Sequence, residues 1–157
     1  MGYASVCAVL IRPLSRGTIF IDTTDPREPP LYDFGTFSHP SDLEIAVRAL
    51  KKVRDWIASP PMQALGPVEI LPGTSSSENS DEAIAAAVRA FATSSWQHPT
   101  SSCSMLKREQ GGVVGPLLRV YGTRGLRVVD ASVFPLAVGG HTSSTVYAVA
   151  EKVSVIV

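Results

Sequence analysis

The sequence predicts an α+β fold in which antiparallel strands carry amphipathic helices on one face. Apolar residues recur at three- and four-residue steps after residue 41 and again after residue 80, which predicts two helices. Short β-branched runs bounded by glycine predict strands, of which 117–121 and 126–129 form one pair. With 157 residues, 45% of them hydrophobic, the chain is long enough to bury a core as one domain or part of one.

The first predicted element is a β-hairpin. Residues 5–14 are mostly apolar, and the turn segment 15–17, which ends in glycine, leads into the β-branched run 18–21. The proline-rich segment 25–30 follows. Because proline fixes φ and removes a backbone donor, we expect a surface loop there.

The first predicted helix begins at Ser41. Ser41 followed three residues later by Glu44 forms a capping box, with the serine as N-cap. The prolines at 60 and 61 end the helix. Its apolar face consists of Leu43, Ala46, Val47, Leu50, Val53 and Ile57.

A Pro-, Gly- and Ser-rich connection over 65–79 precedes the second predicted helix. That helix opens at Ser80, with Asp81 and Glu82 in its first turn, where the helix dipole favours negative charge. The side chains expected to point inward are Ile84, Ala87, Val88 and Phe91.

The last third of the chain carries the chemically interesting residues. The strand 126–129 ends at Asp130, and a pair of glycines leads through His141 to a helix start at 142–144. The free N–H groups and positive dipole of a helix start suit a group that becomes negative during a reaction. The apolar positions of this final helix are Val146, Val149, Ala150, Val153 and Ile156.

Two histidines of this region, His98 and His141, are candidate catalytic residues. Histidine exchanges protons near neutral pH, so His98 is either a general base or a structural histidine before a proline. His141 lies between glycines and a helix start, where it can stabilise developing charge. His39 is expected to be a surface residue before the first helix.

Charge and cysteine usage exclude several classes of partner. The 14 basic and 14 acidic residues balance, and no basic cluster alternates with aromatic residues, so nucleic acid and anionic membrane surfaces are not expected partners. No apolar run reaches the roughly 20 residues that a membrane span needs. Cys7 and Cys103 are expected to be free thiols, and their spacing indicates no metal site.

Five motifs follow one another after residue 97. They are His98-Pro99-Thr100-Ser101-Ser102-Cys103-Ser104-Met105, Gly111-Gly112-Val113-Val114, Leu118-Arg119-Val120-Tyr121-Gly122, 125–132 and 141–152. Their order, and the separation of the two histidines by 43 residues, resemble the C-terminal signature of the glucose-methanol-choline (GMC) family of flavin oxidoreductases. That family includes glucose oxidase, aryl-alcohol oxidase and choline dehydrogenase.

The resemblance implies an FAD-dependent enzyme that oxidises an alcohol or a sugar hydroxyl. It implies that His98 accepts the substrate hydroxyl proton while hydride passes to flavin N5. It implies that His141 hydrogen-bonds the substrate oxygen. Together the two groups would orient the substrate C–H bond and stabilise the developing alkoxide.

The resemblance also implies contacts with the flavin. Asp130 and Ala131 correspond to residues near its ribityl and phosphate region, and Thr142 and Ser143 would bring backbone N–H groups to the pyrimidine edge of the isoalloxazine. From residue types alone, Asp130 is a turn residue at a strand end, and Thr142 and Ser143 are ordinary N-caps.

The whole chain, 1–157, is predicted to be a GMC C-terminal domain without the N-terminal Rossmann-like FAD-binding part, because no G-x-G-x-x-G motif occurs in it. In a full-length protein 126–157 would pack on the FAD domain. The isolated chain is therefore expected to self-associate through exposed apolar surface. The alternatives are a truncated chain without catalysis and a binding module that kept the fold but lost the chemistry.

Overall fold

The computed structural model describes residues 2–73 and 79–155. Residues 74–78 of the predicted connection and Ile156 of the predicted final helix lie outside the described part. The described elements, in chain order, are β1 (Thr18–Phe20), β2 (Leu31–Asp33), α1 (Pro40–Ile57), α2 (Pro60–Gln63), α3 (Asp81–Phe91) and α4 (Ser143–Ser154). Two 3₁₀ turns cover Arg108–Gln110 and Ala131–Val133.

The chain divides into two compact units. The first consists of the described residues of 1–16 and 35–94, and therefore contains α1, α2 and α3. The second consists of those of 17–34 and 95–157, and contains β1, β2 and α4.

Helix α1 confirms the first predicted helix but begins one residue earlier than the predicted cap. Its N-cap is His39, whose Nδ1 accepts a hydrogen bond from the Ser41 N–H at 3.3 Å. The expected role of Ser41 as N-cap is wrong. Pro40 has a helical φ and no N–H to satisfy, so it suits the first helical position and moves the cap to His39. The helix ends at Ile57, as the following prolines predict.

Asp42, in the first turn of α1, holds the chain segment before the helix. Its side chain is only 1% exposed, and its two oxygens accept the N–H groups of Leu14 at 3.0 Å and Ser15 at 2.7 Å. The Ser15 hydroxyl in turn accepts the His39 N–H at 3.1 Å. Residues 5–14 were predicted to be one strand of a hairpin, and this prediction is wrong. The backbone N–H groups of Leu14 and Ser15 donate to the Asp42 carboxylate and not to a neighbouring strand.

These hydrogen bonds also change the acidity of Asp42. Burial by itself would raise the pKa of the Asp42 carboxyl, but the hydrogen bonds from Ser15 and Leu14, together with the nearby His39, lower the pKa below its ordinary value. The carboxyl group is thus ionised in the folded chain and contributes to its stability as an anion.

Helix α3 confirms the second predicted helix and packs against α1. Ser80 caps it by accepting the Ala83 N–H at 3.2 Å, and Ile84 is completely buried between the helices. Phe91 was predicted to point inward but is 52% exposed, because it is the last residue of the helix. Within the first unit the helices pack on each other, which replaces the predicted packing of helices on a sheet.

The two-stranded sheet of the second unit pairs β1 with β2 in antiparallel register, with Ile19 opposite Tyr32. The strand at 18–20 was predicted, but its partner lies downstream of the proline-rich loop, not upstream. Gly17 permits this pairing because a Cβ there would lie 2.1 Å from the Asp33 carbonyl oxygen.

The core of the second unit is an apolar cluster. The predicted strands 117–121 and 126–129 do pair in antiparallel fashion, through Arg119 and Arg127, but the pairing is a single bridge and neither segment is a strand. Leu118 has a φ of +56°, which takes the backbone out of the extended conformation and ends the ladder. The buried members of the cluster are Val114, Leu118, Val133, Phe134 and Val153.

Helix α4 supplies Val153 to this cluster, with Val146 and Val149 packed beside it, as the apolar spacing predicted. Ala150, also predicted to face inward, is exposed. Among the helices that the structure describes, none combines the length and the apolar character needed to cross a membrane.

We expect Asp42→Asn to lower the free energy of unfolding by about 2–3 kcal/mol at neutral pH, because one backbone N–H then faces an amide NH₂ group instead of a carboxylate oxygen. Urea unfolding followed by circular dichroism measures this loss. Asp55→Asn, on the exposed face of the same helix, is the matched control and should change stability by less than about 0.5 kcal/mol. Equal effects of the two changes would contradict the anchoring role of Asp42.

The difference in stability between the parent chain and the Asp42→Asn variant should also depend on pH. Because the pKa of Asp42 is lower in the folded chain than in the unfolded chain, its contribution is complete above the ordinary aspartate value of about 3.9. The contribution is lost as the pH falls through the folded-state pKa. Unfolding midpoints measured from pH 7 downward should converge for the two proteins in acid, and a constant difference would refute the assignment.

Candidate functional site

His98 and His141 face each other in the second unit. Nε2 of His98 lies 3.4 Å from Nδ1 of His141, and the two rings are nearly perpendicular, at 82°, with centroids 4.9 Å apart. His98 is half-buried and His141 is exposed. In the tautomer with a proton on one of the facing nitrogens, one imidazole donates to the other. The structure thus joins the two histidines that were predicted to be catalytic.

A backbone ladder brings these distant residues together. The N–H groups of residues 101, 103 and 105 donate to the carbonyl groups of 131, 132 and 133, at 3.3, 2.9 and 2.9 Å. The ladder holds the segment after His98 beside the segment that leads towards His141. Met105 also bridges to the buried Val114, so the ladder continues into the apolar cluster.

The chain approaches His98 through a left-handed turn. Ser95, Trp96 and Gln97 have φ values of +67°, +47° and +61°, and the His98 N–H closes the turn on the Ser95 carbonyl at 2.9 Å. Each left-handed residue other than glycine costs roughly 1–2 kcal/mol, so surrounding contacts must hold the turn. Conformations of this kind are concentrated at functional sites.

The turn places Trp96 beside the histidine pair. Its ring centroid lies 6.2 Å from that of His141, at an interplanar angle of 32°, and the residue is 49% exposed. Sequence reasoning did not identify Trp96 as part of the site. Glycine and asparagine are the residues that usually indicate a positive φ, and residues 95–97 contain neither. The local sequence therefore did not predict the turn.

Asp130 and Ala131 lie at the start of the 3₁₀ turn. Asp130 Oδ1 accepts hydrogen bonds from both the backbone N–H (2.8 Å) and the hydroxyl (2.5 Å) of Ser132, so Asp130 caps the turn. Its other carboxylate oxygen has no partner in the described part of the chain, and the residue is exposed. The Ala131 carbonyl belongs to the backbone ladder.

Thr142 and Ser143 lie at the start of α4. Thr142 is the N-cap, but its side chain makes no capping hydrogen bond, and the first backbone bond of the helix runs from the Val146 N–H to the Thr142 carbonyl at 2.9 Å. The N–H groups of the first turn, including that of Ser143, therefore have no helical acceptor. This helix start directly follows His141, so positive dipole and open donors lie next to the histidine pair.

A protein-family model described as GMC oxidoreductase matches residues 13–150. The match covers both histidines, the ladder and the start of α4. The chain therefore belongs to the GMC oxidoreductase family, of which it represents the C-terminal region.

Named proteins agree with this assignment. The chain is 38% identical over 154 residues to the dehydrogenase xptC of Emericella nidulans, an alignment that covers 98% of this chain and 24% of that protein. A solved structure of a fungal aryl-alcohol oxidase is 43% identical with a TM-score of 0.84, covering 94% of this chain and 24% of that one. An FAD-dependent oxidoreductase from Chaetomium thermophilum is 35% identical with a TM-score of 0.87, covering 93% and 25%.

These similarities establish the GMC C-terminal domain fold for this chain. The chain spans about a quarter of the length of the relatives that it matches.

We expect Gln97→Val to be less stable than Gln97→Gly by about 1–2 kcal/mol, because the branched side chain resists the left-handed conformation that glycine accepts. Urea unfolding of the two variants tests this difference. Gln110, in a 3₁₀ turn and without a positive φ, provides the matched control. Gln110→Gly should be no more stable than Gln110→Val. If glycine were more stable than valine at both positions, the result would argue against the strained turn at 95–97.

Proposed function

We propose that this chain is the substrate- and flavin-contacting part of an FAD-dependent alcohol oxidoreductase. The observation that carries the proposal is the 3.4 Å separation of the facing nitrogens of His98 and His141. Because the chain spans about 24% of its curated relative, the activity is proposed for a longer protein that also contains the FAD-binding part. The names of the similar proteins, an aryl-alcohol oxidase and an FAD-dependent oxidoreductase, support this reaction class.

The donor groups beside the histidines fit a flavin. The first-turn N–H groups of α4, led by those of Thr142 and Ser143, suit the edge of an isoalloxazine that becomes negative on reduction. Asp130 and the adjoining Ala131 would lie near the ribityl and phosphate region, where the exposed carboxylate can accept hydrogen bonds from ribityl hydroxyl groups. When bound, FAD supplies the acceptor for the hydride that leaves the alcohol carbon.

The histidine pair binds and deprotonates the substrate hydroxyl. Since the two nitrogens are 3.4 Å apart, one alcohol oxygen can lie about 2.8 Å from each of them. His141 Nδ1–H donates a hydrogen bond to this oxygen, and His98 Nε2 accepts its proton. As the carbon loses hydride and the O–H bond breaks, the product becomes a carbonyl compound and the proton remains on His98.

The arrangement favours the transition state over the bound alcohol. Negative charge grows on the substrate oxygen as its proton leaves, and both imidazoles then interact more strongly with that oxygen. The left-handed turn before His98 and the ladder after it position the segment that carries this histidine before substrate binds, which reduces the reorganisation that the reaction requires. Trp96 forms one side of this site and limits the directions in which the alcohol can enter.

We further propose that residues 126–157 pack on the FAD-binding part in the longer protein. Several large apolar side chains of this segment are exposed in the isolated chain, and burying them would be favourable. The same surface would make the isolated chain self-associate. The exposed side chains are Leu126, Val129, Leu136, Tyr147 and Val155.

In the longer protein, His98→Gln is expected to slow reduction of the bound flavin by an alcohol about 10²–10⁴-fold, because the general base is lost. Anaerobic stopped-flow measurements with benzyl alcohol, following the visible absorbance of oxidised flavin, give this rate. His141→Asn keeps a hydrogen-bond donor and should retain more activity than His141→Ala.

The control for these variants is His39→Asn, which removes an imidazole in the first unit but keeps an N-capping side chain. It should reduce flavin at the parent rate. All variants should retain the parent flavin content. Parent-rate reduction in the His98→Gln variant would overturn the proposed role of His98.

A further inference from the structure

The facing histidine nitrogens also have the separation required for a metal ion. A zinc ion binds imidazole nitrogen at about 2.0–2.1 Å, so two such ligands at a tetrahedral angle lie about 3.3–3.4 Å apart. The observed distance between His98 Nε2 and His141 Nδ1 is 3.4 Å. Adjacent ligands of an octahedral ion at the same bond length would lie closer, at about 2.8–3.0 Å. We propose that His98 and His141 form a two-histidine site for Zn²⁺.

The tautomers needed for this site are accessible. Each neutral imidazole has one nitrogen with a lone pair and one with a proton. The outer nitrogens, Nδ1 of His98 and Nε2 of His141, have no hydrogen-bond partner in the described part of the chain, so both can carry the proton while both inner nitrogens bind the ion. The hydrogen bond between the rings is then replaced by two metal–nitrogen bonds.

The site is open on its remaining sides. Within residues 2–73 and 79–155 no group of three or more His, Cys, Asp or Glu side chains could hold a metal, so water or a small anion must complete the coordination of the ion. His141 is exposed, which gives the ion a path to the pair. Affinity therefore depends on both histidines: each alone binds Zn²⁺ weakly, and the second acts as a ligand already held beside the first.

This site was not expected from the sequence, since histidines separated by 43 residues form no metal-binding motif and the cysteine spacing indicated none. It follows from the ladder that brings the two residues together. The inference does not rest on the proposed alcohol chemistry, although a bound ion would occupy the position proposed for the substrate oxygen and would therefore exclude the substrate.

Titration of the 157-residue chain with Zn²⁺, followed by NMR of the histidine ring resonances, tests the proposal. The chain contains three histidines, so assignment is simple. The ring signals of His98 and His141 should change together and saturate at one equivalent. His39, whose Nδ1 is engaged as the cap of α1, is the internal control and should not change over the same range. Movement of all three signals with one midpoint would overturn the site.

Variants provide a second measurement. His98→Asn and His141→Asn should each raise the Zn²⁺ concentration at half-saturation about a hundredfold, because the ion then has a single imidazole ligand. His39→Asn should leave the midpoint unchanged. Parent affinity in either single-histidine variant would refute the two-histidine site. If a variant fails to fold, the titration of the parent chain still decides between the outcomes.

Discussion

The second unit depends on the backbone ladder between 101–105 and 131–133. These hydrogen bonds join segments that are far apart in the sequence and belong to no regular strand. One end of the ladder leads to His98, and the other end runs through Val133 into the apolar cluster. The position of the site is therefore set by backbone N–H and C=O groups of residues that are mostly half-buried, which pair with each other although neither segment is a strand.

In the first unit, backbone N–H groups outside regular structure are paired with a side chain, the carboxylate of Asp42. The buried carboxylate of Asp42 accepts two backbone N–H groups from a segment that forms no strand. Helices α1 and α3 pack against each other and contribute the buried side chains Val47 and Ile84. Many large apolar side chains nevertheless remain exposed in both units. Relatives about four times longer have enough additional chain to cover such surfaces, which agrees with the family membership of this chain.

The proposed alcohol oxidation and the proposed zinc site both depend on the facing nitrogens of His98 and His141. Two imidazole nitrogens that lie 3.4 Å apart can both contact one alcohol oxygen or one metal ion, but not both at the same time. The left-handed turn at 95–97 places Trp96 beside His141 and so adds an aromatic side chain to the candidate site. Non-glycine residues with positive φ cost free energy, and such conformations are concentrated at functional sites.

The sequence by itself determined the elements that depend on local contacts. Helices α1 and α3 follow from apolar periodicity and proline positions, and the family resemblance named His98 and His141 as partners. The sequence patterns wrongly predicted Ser41 as the N-cap of α1 and residues 5–14 as the partner of β1. They also predicted strands at 117–121 and 126–129, where the structure has a single bridge. Only the tertiary structure decided these points, and it alone set the 3.4 Å contact across 43 residues, because strand pairing, positive φ and buried hydrogen bonds depend on residues that are distant in the chain.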